Sequence, residues 1–423
     1  MRGARSAAAV LTAAATVIVW AAGPGTIAAQ AARNPIDHIV VLMQENRSFD
    51  SYLGRLHFEG QPHSRPEPPG SNNPNPTDPD GPPIRTFHKT FYCEVADLNH
   101  SWTGTHQELN GDRMDGFTAA NVDSADPTGS RAMGFYDARD LPFYYALYSR
   151  FAMGDRYFAS VPGPTFPNRE YLLAGTSFGH IRNDLPAAGL LGRSIFNLLD
   201  EAGVSWKIYF SDLPGGFLFA YVRTHAAGRV VPITQYYADA AAGLLPQVSF
   251  VDPIFIGSKN VENDEHPPAN IQVGQEFVAG VVTALFKSPQ WASSALFLTY
   301  DEHGGYFDHV APPAAPLPDD IAPMLGPRDT QATFDRYGVR VPAVVVSPFA
   351  RPHFVSHVVH DHTSILRFVE SRFGLPALTR RDAQADPMLE FFDFSRPSFA
   401  SPPQLPPAVI DPVQAAQCAA GGT

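Results

Sequence analysis

The chain contains 423 residues, of which 44% are hydrophobic and 17% charged, and it carries a formal net charge of −12. This composition is that of a globular protein, and the length suits one large α/β domain or two ordinary ones. The negative charge argues against nucleic acid binding and electrostatic adhesion to anionic membranes, but it allows an enzyme that supplies positive charge locally, for example through a metal ion.

The first 31 residues have the pattern of a signal peptide. Arg2 and Arg5 precede an apolar stretch over residues 7–22, and an A-x-A cleavage pattern lies at residues 29–31. A retained membrane anchor is the alternative, but the stretch is short for a helix that crosses a bilayer. We therefore expect a mature protein that is secreted or lies in the periplasm or cell envelope, with no membrane-spanning segment after cleavage.

Predicted strands alternate with predicted helices along the rest of the chain. Buried apolar runs predict strands at residues 36–43, 206–210, 248–251, 295–300 and 341–346. Amphipathic patterns predict helices at residues 193–201, 275–286 and 364–373. This alternation is typical of an α/β fold with a mostly parallel central sheet and helices on both faces.

Two segments fall outside this alternation. Residues 61–83 are rich in Pro, Asn, Gly and Asp and predict an exposed irregular excursion, and residues 400–423 form a Pro- and Ala-rich tail. A single catalytic domain over residues 32–399 is therefore expected. The two cysteines, Cys93 and Cys418, either pair or stay as thiols, and the sequence leaves both possibilities open.

Acidic residues follow two of the predicted strands. Glu45 and Asn46 come after the first strand, and Asp301 and Glu302 come directly after the strand at 295–300. In open α/β folds the carboxyl ends of strands carry the ligand site. Carboxylate and amide oxygens are hard ligands suited to Mg, Ca, Mn or Zn. The alternative is that these carboxylates cap helices or pair with surface arginines.

The loop at residues 161–169 holds two prolines and a glycine before Thr165, and Pro167 suits the first turn of a helix. Thr165 would then lie at a helix N-terminus, where free N–H groups and the helix dipole favour an anion such as a phosphoryl oxygen or an alkoxide. Taken alone, the spacing favours the simpler reading that Thr165 is the N-cap residue.

Two histidines lie in polar loops, His100 and His266. Such histidines are usually solvated, but either one could bind a transferring phosphoryl group or protonate a leaving alkoxide. The aromatic residues at 135–136 and 143–145 could form an apolar rim for a lipid, although burial in the core is the more ordinary reading.

Four blocks of sequence then match one known pattern. They are residues 45–50 (Glu-Asn-Arg-Ser-Phe-Asp), 163–169 (Gly-Pro-Thr-Phe-Pro-Asn-Arg), 301–305 (Asp-Glu-His-Gly-Gly) with 308–310 (Asp-His-Val), and 361–368 (Asp-His-Thr-Ser-Ile-Leu-Arg-Phe). In this order, over nearly the whole mature chain, they resemble the phosphoesterase family of bacterial and plant non-specific phospholipases C and related bacterial acid phosphatases. One departure is Phe166, which stands where many members have histidine and bears on substrate preference.

The resemblance implies an alkaline-phosphatase-like α/β fold and one divalent metal ion. The ligand positions that it implies are Glu45, Asn46, Thr165, Asp301 and Glu302. It also implies that His100 and His266 line the phosphate pocket, and that His303 and His309 occupy further family positions with candidate catalytic roles.

The hypothesis is therefore a secreted, metal-dependent phosphoester hydrolase of the phospholipase C type that acts through a phosphothreonine at Thr165. The first alternative is an acid phosphatase that uses the same site on phosphomonoesters. The second is a secreted binding protein that has kept the fold without catalysis, although none of the candidate ligands is missing from the sequence.

Overall fold

The computed structural model describes residue 1 and residues 34–421, so the predicted signal peptide lies outside the described residues apart from Met1. In the described part the strands are β1 (His38–Gln44), β2 (Asn72–Asn73), β3 (Ile84–Arg85), β4 (Phe87–His88), β5 (Gly134–Phe135), β6 (Ala152–Gly154), β7 (Trp206–Phe210), β8 (Val230–Pro232), β9 (Val248–Asp252), β10 (Ser294–Tyr300), β11 (Ala343–Val346) and β12 (Val355–Ser356).

The α-helices of the same part vary from one turn to 17 residues. They are α1 (Phe49–Leu53), α2 (Trp102–Leu109), α3 (Phe117–Ala120), α4 (Pro142–Arg150), α5 (Thr165–Ala174), α6 (Ile195–Glu201), α7 (Ala220–Thr224), α8 (Ile233–Ala242), α9 (Ile271–Lys287), α10 (His362–Phe373), α11 (Arg380–Gln384) and α12 (Pro412–Ala419).

Eight of the described strands form one central sheet in the order β12-β6-β11-β10-β1-β9-β7-β8. Every neighbouring pair is parallel except the two pairs that β11 makes with β10 and β6. All seven residues of β10 are buried, which requires that both faces of the sheet be covered at this strand. The predicted mixed α/β fold with a mostly parallel sheet is confirmed.

The predicted elements are confirmed, with shifts at their ends. The strand at 206–210 has its predicted bounds, whereas β11 begins at Ala343 because Pro342 has no N–H to give to the ladder. Helices α9 and α10 begin earlier than their apolar periodicity suggests. Asn270 caps α9 by accepting from the N–H of Gln272, and Asp361 forms a capping box with Ser364 at α10.

The two segments outside the predicted alternation are both attached to the domain. Residues 61–83 are irregular, as expected, but the N–H of Glu67 donates to the carbonyl of Gly54, and Glu67 is buried. In the tail, Cys418 of α12 is bonded to Cys93, which resolves the question of whether the cysteines pair. None of the helices in the described part combines the length and the apolar character needed to cross a membrane.

We predict that replacing both cysteines, Cys93→Ser with Cys418→Ser, lowers the free energy of unfolding by about 2–5 kcal/mol, because the bond restricts the unfolded chain. The bond joins residues 325 positions apart. Urea unfolding under oxidising conditions measures the difference. Wild-type protein in reductant is the control and should match the double variant, and equal stability of the variant and the oxidised protein would contradict the prediction.

Candidate active site

The acidic pairs of the two central strands lie side by side. Parallel strands β1 and β10 pair in register up to Gln44 and Tyr300, so the chain leaves both strands at the same edge of the sheet. Beyond that edge the backbone N–H of Asn46 donates to Oδ1 of Asp301 over 3.1 Å. The next N–H, that of Arg47, donates to the carbonyl of Glu302 over 3.1 Å. Local sequence therefore brings the two predicted ligand pairs together.

The chain turns sharply after β1 and after β10 through residues in the left-handed conformation. Asn46 has φ of 61°, a conformation that asparagine tolerates better than most residues. Gly304 packs against it with φ of 64°, and a Cβ atom there would lie 2.5 Å from the carbonyl oxygen of Asn46. Only glycine fits this close approach, which explains the first glycine of the Asp-Glu-His-Gly-Gly block.

Three of the expected ligands carry buried oxygens without a hydrogen-bond partner among the described residues. These atoms are Oδ1 of Asn46, Oδ2 of Asp301 and Oε1 of Glu302. Buried acceptors are nearly always satisfied in proteins, because an unpaired one loses its hydration without compensation. Three such oxygens on neighbouring residues match the donor set that a hard divalent cation requires.

Helix α5 carries Thr165 at its first position and Arg169 one turn later, on the same face. Nη2 of Arg169 donates to Oε1 of Glu45 over 3.0 Å, and its Nε lies 3.7 Å from Oδ2 of Asp301. The N-cap of this helix is Pro164, so the reading of Thr165 as the N-cap is wrong. Because proline already fixes an extended backbone at that position, the Thr165 side chain is not needed to start the helix.

Burial and like charge act together on these carboxylates. Burial raises the pKa of Asp301 well above its usual value, and the nearby Glu45 and Glu302 raise it further, while Arg169 opposes them. Burial would also raise the pKa of Glu302, but His100, His303 and the N–H of a following glycine outweigh it and hold that pKa below its usual value. The site therefore concentrates negative charge that a cation would stabilise.

His100 and His266 face each other at the edge of this cluster, with ring centres 5.7 Å apart. Nδ1 of His100 lies 2.9 Å from the carbonyl oxygen of Leu98, and Nδ1 of His266 lies 2.6 Å from that of Pro267. A carbonyl can only accept, so each Nδ1 carries a proton and each Nε2 is left for another partner. Asp97 lies between the rings, 3.7 Å from Nδ1 of His100 and 3.6 Å from Nε2 of His266.

His100 is buried, contrary to the expectation of a solvated loop residue. Burial lowers its pKa, but the carboxylates of Glu302, Asp97 and Asp301 outweigh burial and raise the pKa above the usual value. The pattern of a polar loop could not reveal this, because the burying groups come from distant parts of the chain.

His303 and His309 occupy different surroundings from the first two histidines. His303 is buried between carboxylates, with Nε2 2.6 Å from Glu108 and Nδ1 3.2 Å from Glu302. Burial lowers its pKa, but the two carboxylates outweigh burial and raise the pKa to about 10, so the ring is cationic at neutral pH. Nδ1 of His309 lies 2.6 Å from Asp50, beside the buried Arg340. Neither histidine lines the cleft described next.

A cleft of about 540 Å³ opens above Glu45, Thr165 and Arg169. His266 lines the same cleft, while His100 lines an adjoining cavity, and Asn183 borders both. The remaining wall also includes Gly215, Arg223 and Glu262, but it is largely apolar, with Phe166, Leu185, Leu213, Pro214, Phe217, Leu218, Phe255, Pro267 and Pro268. The cleft therefore joins a charged end to an apolar wall.

The aromatic residues considered for a rim lie elsewhere. Tyr136, Phe143, Tyr144 and Tyr145 are buried in the main hydrophobic core, as the more ordinary reading held. The phenylalanines at the cleft are instead Phe166, in the first turn of α5, and Phe217 and Phe255, which follow β7 and β9. No periodic pattern marks these residues in the sequence.

Sequence reasoning missed three charged residues of the site. Asp252 ends β9, the other neighbour of β1, so it follows the same strand-end pattern as Glu45 and Asp301. Burial raises its pKa to about 6, and Arg169 opposes this. The sequence around Asp97 carries no pattern that marks it as a site residue. Arg169 stands in the 163–169 block, but its spacing alone indicates no partner.

Three groups of carboxylate and imidazole atoms lie within 4.8 Å of one another in the described part of the chain. They are Asp97, His100 and His266; Asp50, Asp308 and His309; and His88, Asp137 and Asp140. The first group belongs to the site, and the second is an ion-pair network around Arg340, which donates to both carboxylates over 2.9 Å. The carboxylates of the expected ligands Glu45, Asp301 and Glu302 do not form one of these groups. Candidate metal-binding groups therefore lie at the site and beside it.

Comparison with known proteins agrees with the sequence blocks. A sequence model of the Phosphoesterase family matches residues 36–376. The non-specific phospholipase C1 of Arabidopsis thaliana is 34% identical over 390 residues, covering 85% of this chain and 71% of that protein. Phospholipase C B of Mycobacterium tuberculosis is 35% identical over 425 residues, covering 88% and 80%.

Among solved structures, a protein in the alkaline phosphatase superfamily from Vibrio parahaemolyticus aligns with a TM-score of 0.43 and 11% identity, over 83% of this chain and 69% of that chain. The family match extends over most of the chain, and it confirms the resemblance that the four sequence blocks indicated. This chain belongs to the phosphoesterase family and is a hydrolase of phosphoric esters.

Proposed function

We propose that this protein is a secreted, metal-dependent phosphodiesterase of the phospholipase C type, with Thr165 as its nucleophile and residues 32–399 as its catalytic domain. The observation that carries the proposal is the set of unpartnered buried oxygens on Asn46, Asp301 and Glu302. Helix α5, which begins at Thr165, reaches this set through Arg169, whose Nε lies 3.7 Å from Oδ2 of Asp301. The names of the relatives, which are phospholipases C, support the same substrate class.

The residues that would hold the metal are those with hard oxygen donors at the strand ends. We assign Glu45, Asn46, Asp301, Glu302 and the hydroxyl of Thr165 to one divalent ion. Ca, Mg, Mn and Zn all remain compatible with this donor set. When bound, the ion would lower the pKa of the Thr165 hydroxyl and neutralise charge on the phosphate oxygens.

Thr165 is positioned for attack by the start of its helix. In the first helical turn the N–H of Phe166 donates to Oδ1 of Asn183 and that of Asn168 to the carbonyl of Pro164, while Pro167 has no N–H. The N–H of Thr165 itself and the positive end of the dipole are what this helix end offers to an anion. Both features favour an oxygen anion at the Thr165 position and the phosphate beside it. In the proposed step the Thr165 oxygen bonds to phosphorus while the bond to the leaving alcohol breaks, and water later releases the phosphoryl group.

His100 and His266 would contact the phosphate through Nε2, since each Nδ1 is engaged with a backbone carbonyl. The raised pKa of His100, caused by the carboxylates that outweigh its burial, favours a protonated ring that donates to phosphate or to the leaving alkoxide. Arg169 lies at the same cleft and adds positive charge close to Thr165.

His303 and His309 would act by positioning other residues. The protonated ring of His303 contacts the carboxylates of Glu302 and Glu108 and so fixes the position of Glu302. His309 and Arg340 hold Asp50, whose N–H in turn donates to Asp308, and so fix the segment after Glu302 against α1. Both roles are structural supports for the ligand set and require no contact with substrate.

The apolar wall of the cleft favours a lipid phosphodiester over a phosphomonoester. A phosphomonoesterase needs only a polar pocket for the phosphate, whereas a diacylglycerol leaving group needs apolar surface next to it. Phe166, Phe217 and Phe255 provide such surface beside Thr165. Acid phosphatase activity on the same site is the competing proposal, and hydrolysis of p-nitrophenyl phosphate but not of p-nitrophenylphosphorylcholine would favour it.

Export from the cytoplasm belongs to the same proposal. Its support is the predicted signal peptide together with the bond between Cys93 and Cys418, since disulfides persist mainly in oxidising compartments. N-terminal sequencing of protein recovered from the envelope or medium would locate the cleavage site near residue 31.

We predict that Thr165→Ala lowers kcat for p-nitrophenylphosphorylcholine by at least about a thousandfold, because the nucleophile is lost. Thr165→Ser is the matched control and should retain activity, since it keeps the hydroxyl. With acid quenching during turnover, mass spectrometry of wild-type protein should find the phosphorylcholine group on the peptide that contains Thr165. An unchanged kcat for the alanine variant would refute the nucleophile assignment.

We predict that adding a divalent cation to chelator-treated protein raises its melting temperature, because the ion satisfies carboxylates whose burial is otherwise uncompensated. Asp301→Asn should abolish the increase. Asp137→Asn is the control, because Asp137 belongs to the separate group with His88 and Asp140. Differential scanning calorimetry measures the melting temperature with and without the cation. The assignment of the metal site is contradicted if Asp137→Asn, and not Asp301→Asn, abolishes the rise in melting temperature.

A further inference from the structure

Two loops at the mouth of the cleft are held together by one carboxylate. Asp212 follows β7, and its side chain accepts from the backbone N–H of Leu213 over 2.6 Å. The same carboxylate accepts from the N–H groups of Phe255 and Ile256, in the loop after β9, over 3.0 and 2.9 Å. The loops after these two neighbouring parallel strands therefore meet at a fixed point.

This junction places apolar side chains in solvent. Leu213 is 48% exposed and Ile256 is 70% exposed, and Val261, whose side chain lies next to Gly257, is 52% exposed. We call Leu213, Ile256 and Val261 the apolar rim. The rim is continuous with the cleft, because Leu213 and Phe255 also line its apolar wall and Glu262, next to Val261, lines its charged end.

The rim presents little charge to a partner. Asp212 is turned inward onto backbone N–H groups, and Glu262 is buried at the cleft. Lys259 of these loops donates to the carbonyl of Glu94 over 2.7 Å. Arg223, which lines the cleft, donates to the carbonyls of Phe217 and Ala187 over 2.6 and 2.8 Å. The whole chain has a net charge of −12. A surface held by insertion of apolar side chains and not by positive charge suits a zwitterionic lipid surface rather than an anionic one.

We infer that the apolar rim is the surface by which this protein docks on lipid aggregates, with Leu213, Ile256 and Val261 inserting beside the cleft. This inference rests on the proposed function, because a lipid surface serves the enzyme only if the substrate is a phospholipid. Docking at the rim brings the lipid next to the apolar wall, so a phospholipid enters the cleft without crossing water. The Asp212 junction keeps the inserting residues together.

The test uses one double variant, Ile256→Ser together with Val261→Ser, which we call the rim variant. Neither of these side chains lines the cleft. Leu244→Ser is the matched control: Leu244 is 65% exposed but precedes β9, at the opposite edge of the sheet from the site. Sedimentation with dioleoylphosphatidylcholine vesicles measures binding in a Thr165→Ala background. The rim variant should bind at least about tenfold more weakly than its parent, and the control should bind equally.

Kinetics separate docking from chemistry in the chain with Thr165 intact. The rim variant should keep wild-type kcat and KM on soluble p-nitrophenylphosphorylcholine and lose rate on vesicles. Equal sedimentation of rim variant and parent overturns the inference, as does binding only to phosphatidylglycerol vesicles with release by salt. A dimer that the rim variant dissociates would overturn it in favour of a second copy. If the wild-type chain hydrolyses no phosphorylcholine ester, the proposed function fails while the sedimentation result still decides the docking surface.

Discussion

Four carboxylates act on the single guanidinium of Arg169, and this excess of buried negative charge is the constraint on which the site depends. They are Glu45, Asp301, Asp252 and Asp264. Burial raises the pKa values of Asp301, Asp252 and Asp264 above their usual range, neighbouring carboxylates raise them further, and Arg169 opposes both effects. Such a cluster costs stability unless a further positive group joins it. A cation site accounts for the excess, whereas a purely structural ion pair would need only one carboxylate.

The surroundings of the cluster hold it in place against this repulsion. His303 is clamped between Glu108 and Glu302, and Arg340 joins Asp50 to Asp308. These two networks fix both ends of the segment that follows β10, since one holds its first residues and the other its last. The glycines between them permit the tight course of the chain. Rigidity of this kind keeps donor atoms at fixed positions, which ligand binding requires.

Local patterns in the sequence predict five of the eight strands of the central sheet and place the two candidate ligand pairs at its edge, but they do not mark the short strands β6, β8 and β12. A strand followed at once by acidic residues predicts both the element and its chemistry, because parallel neighbours end at the same edge. Asp252 at the end of β9 has the same pattern. Arg169 and His100 could not be placed in this way. The partner of Arg169, Glu45, is 124 positions away, and His100 is buried by groups from other segments. Such contacts depend on which loops meet, and periodicity carries no information about that.

The charged end and the apolar wall of the cleft indicate a ligand class only when they are considered together. A charged end alone would suit any phosphate ester, and an apolar wall alone would suit any apolar ligand. Here Thr165, the proposed nucleophile, and Phe166, which belongs to the apolar wall, are consecutive residues on one helix, so their relative position is fixed. Water is displaced from Phe166 and Phe255 only when an apolar group lies beside the phosphate, and that gain is absent for a simple monoester. Under the proposed function, the cleft therefore favours phosphate esters that carry an apolar group next to the phosphate.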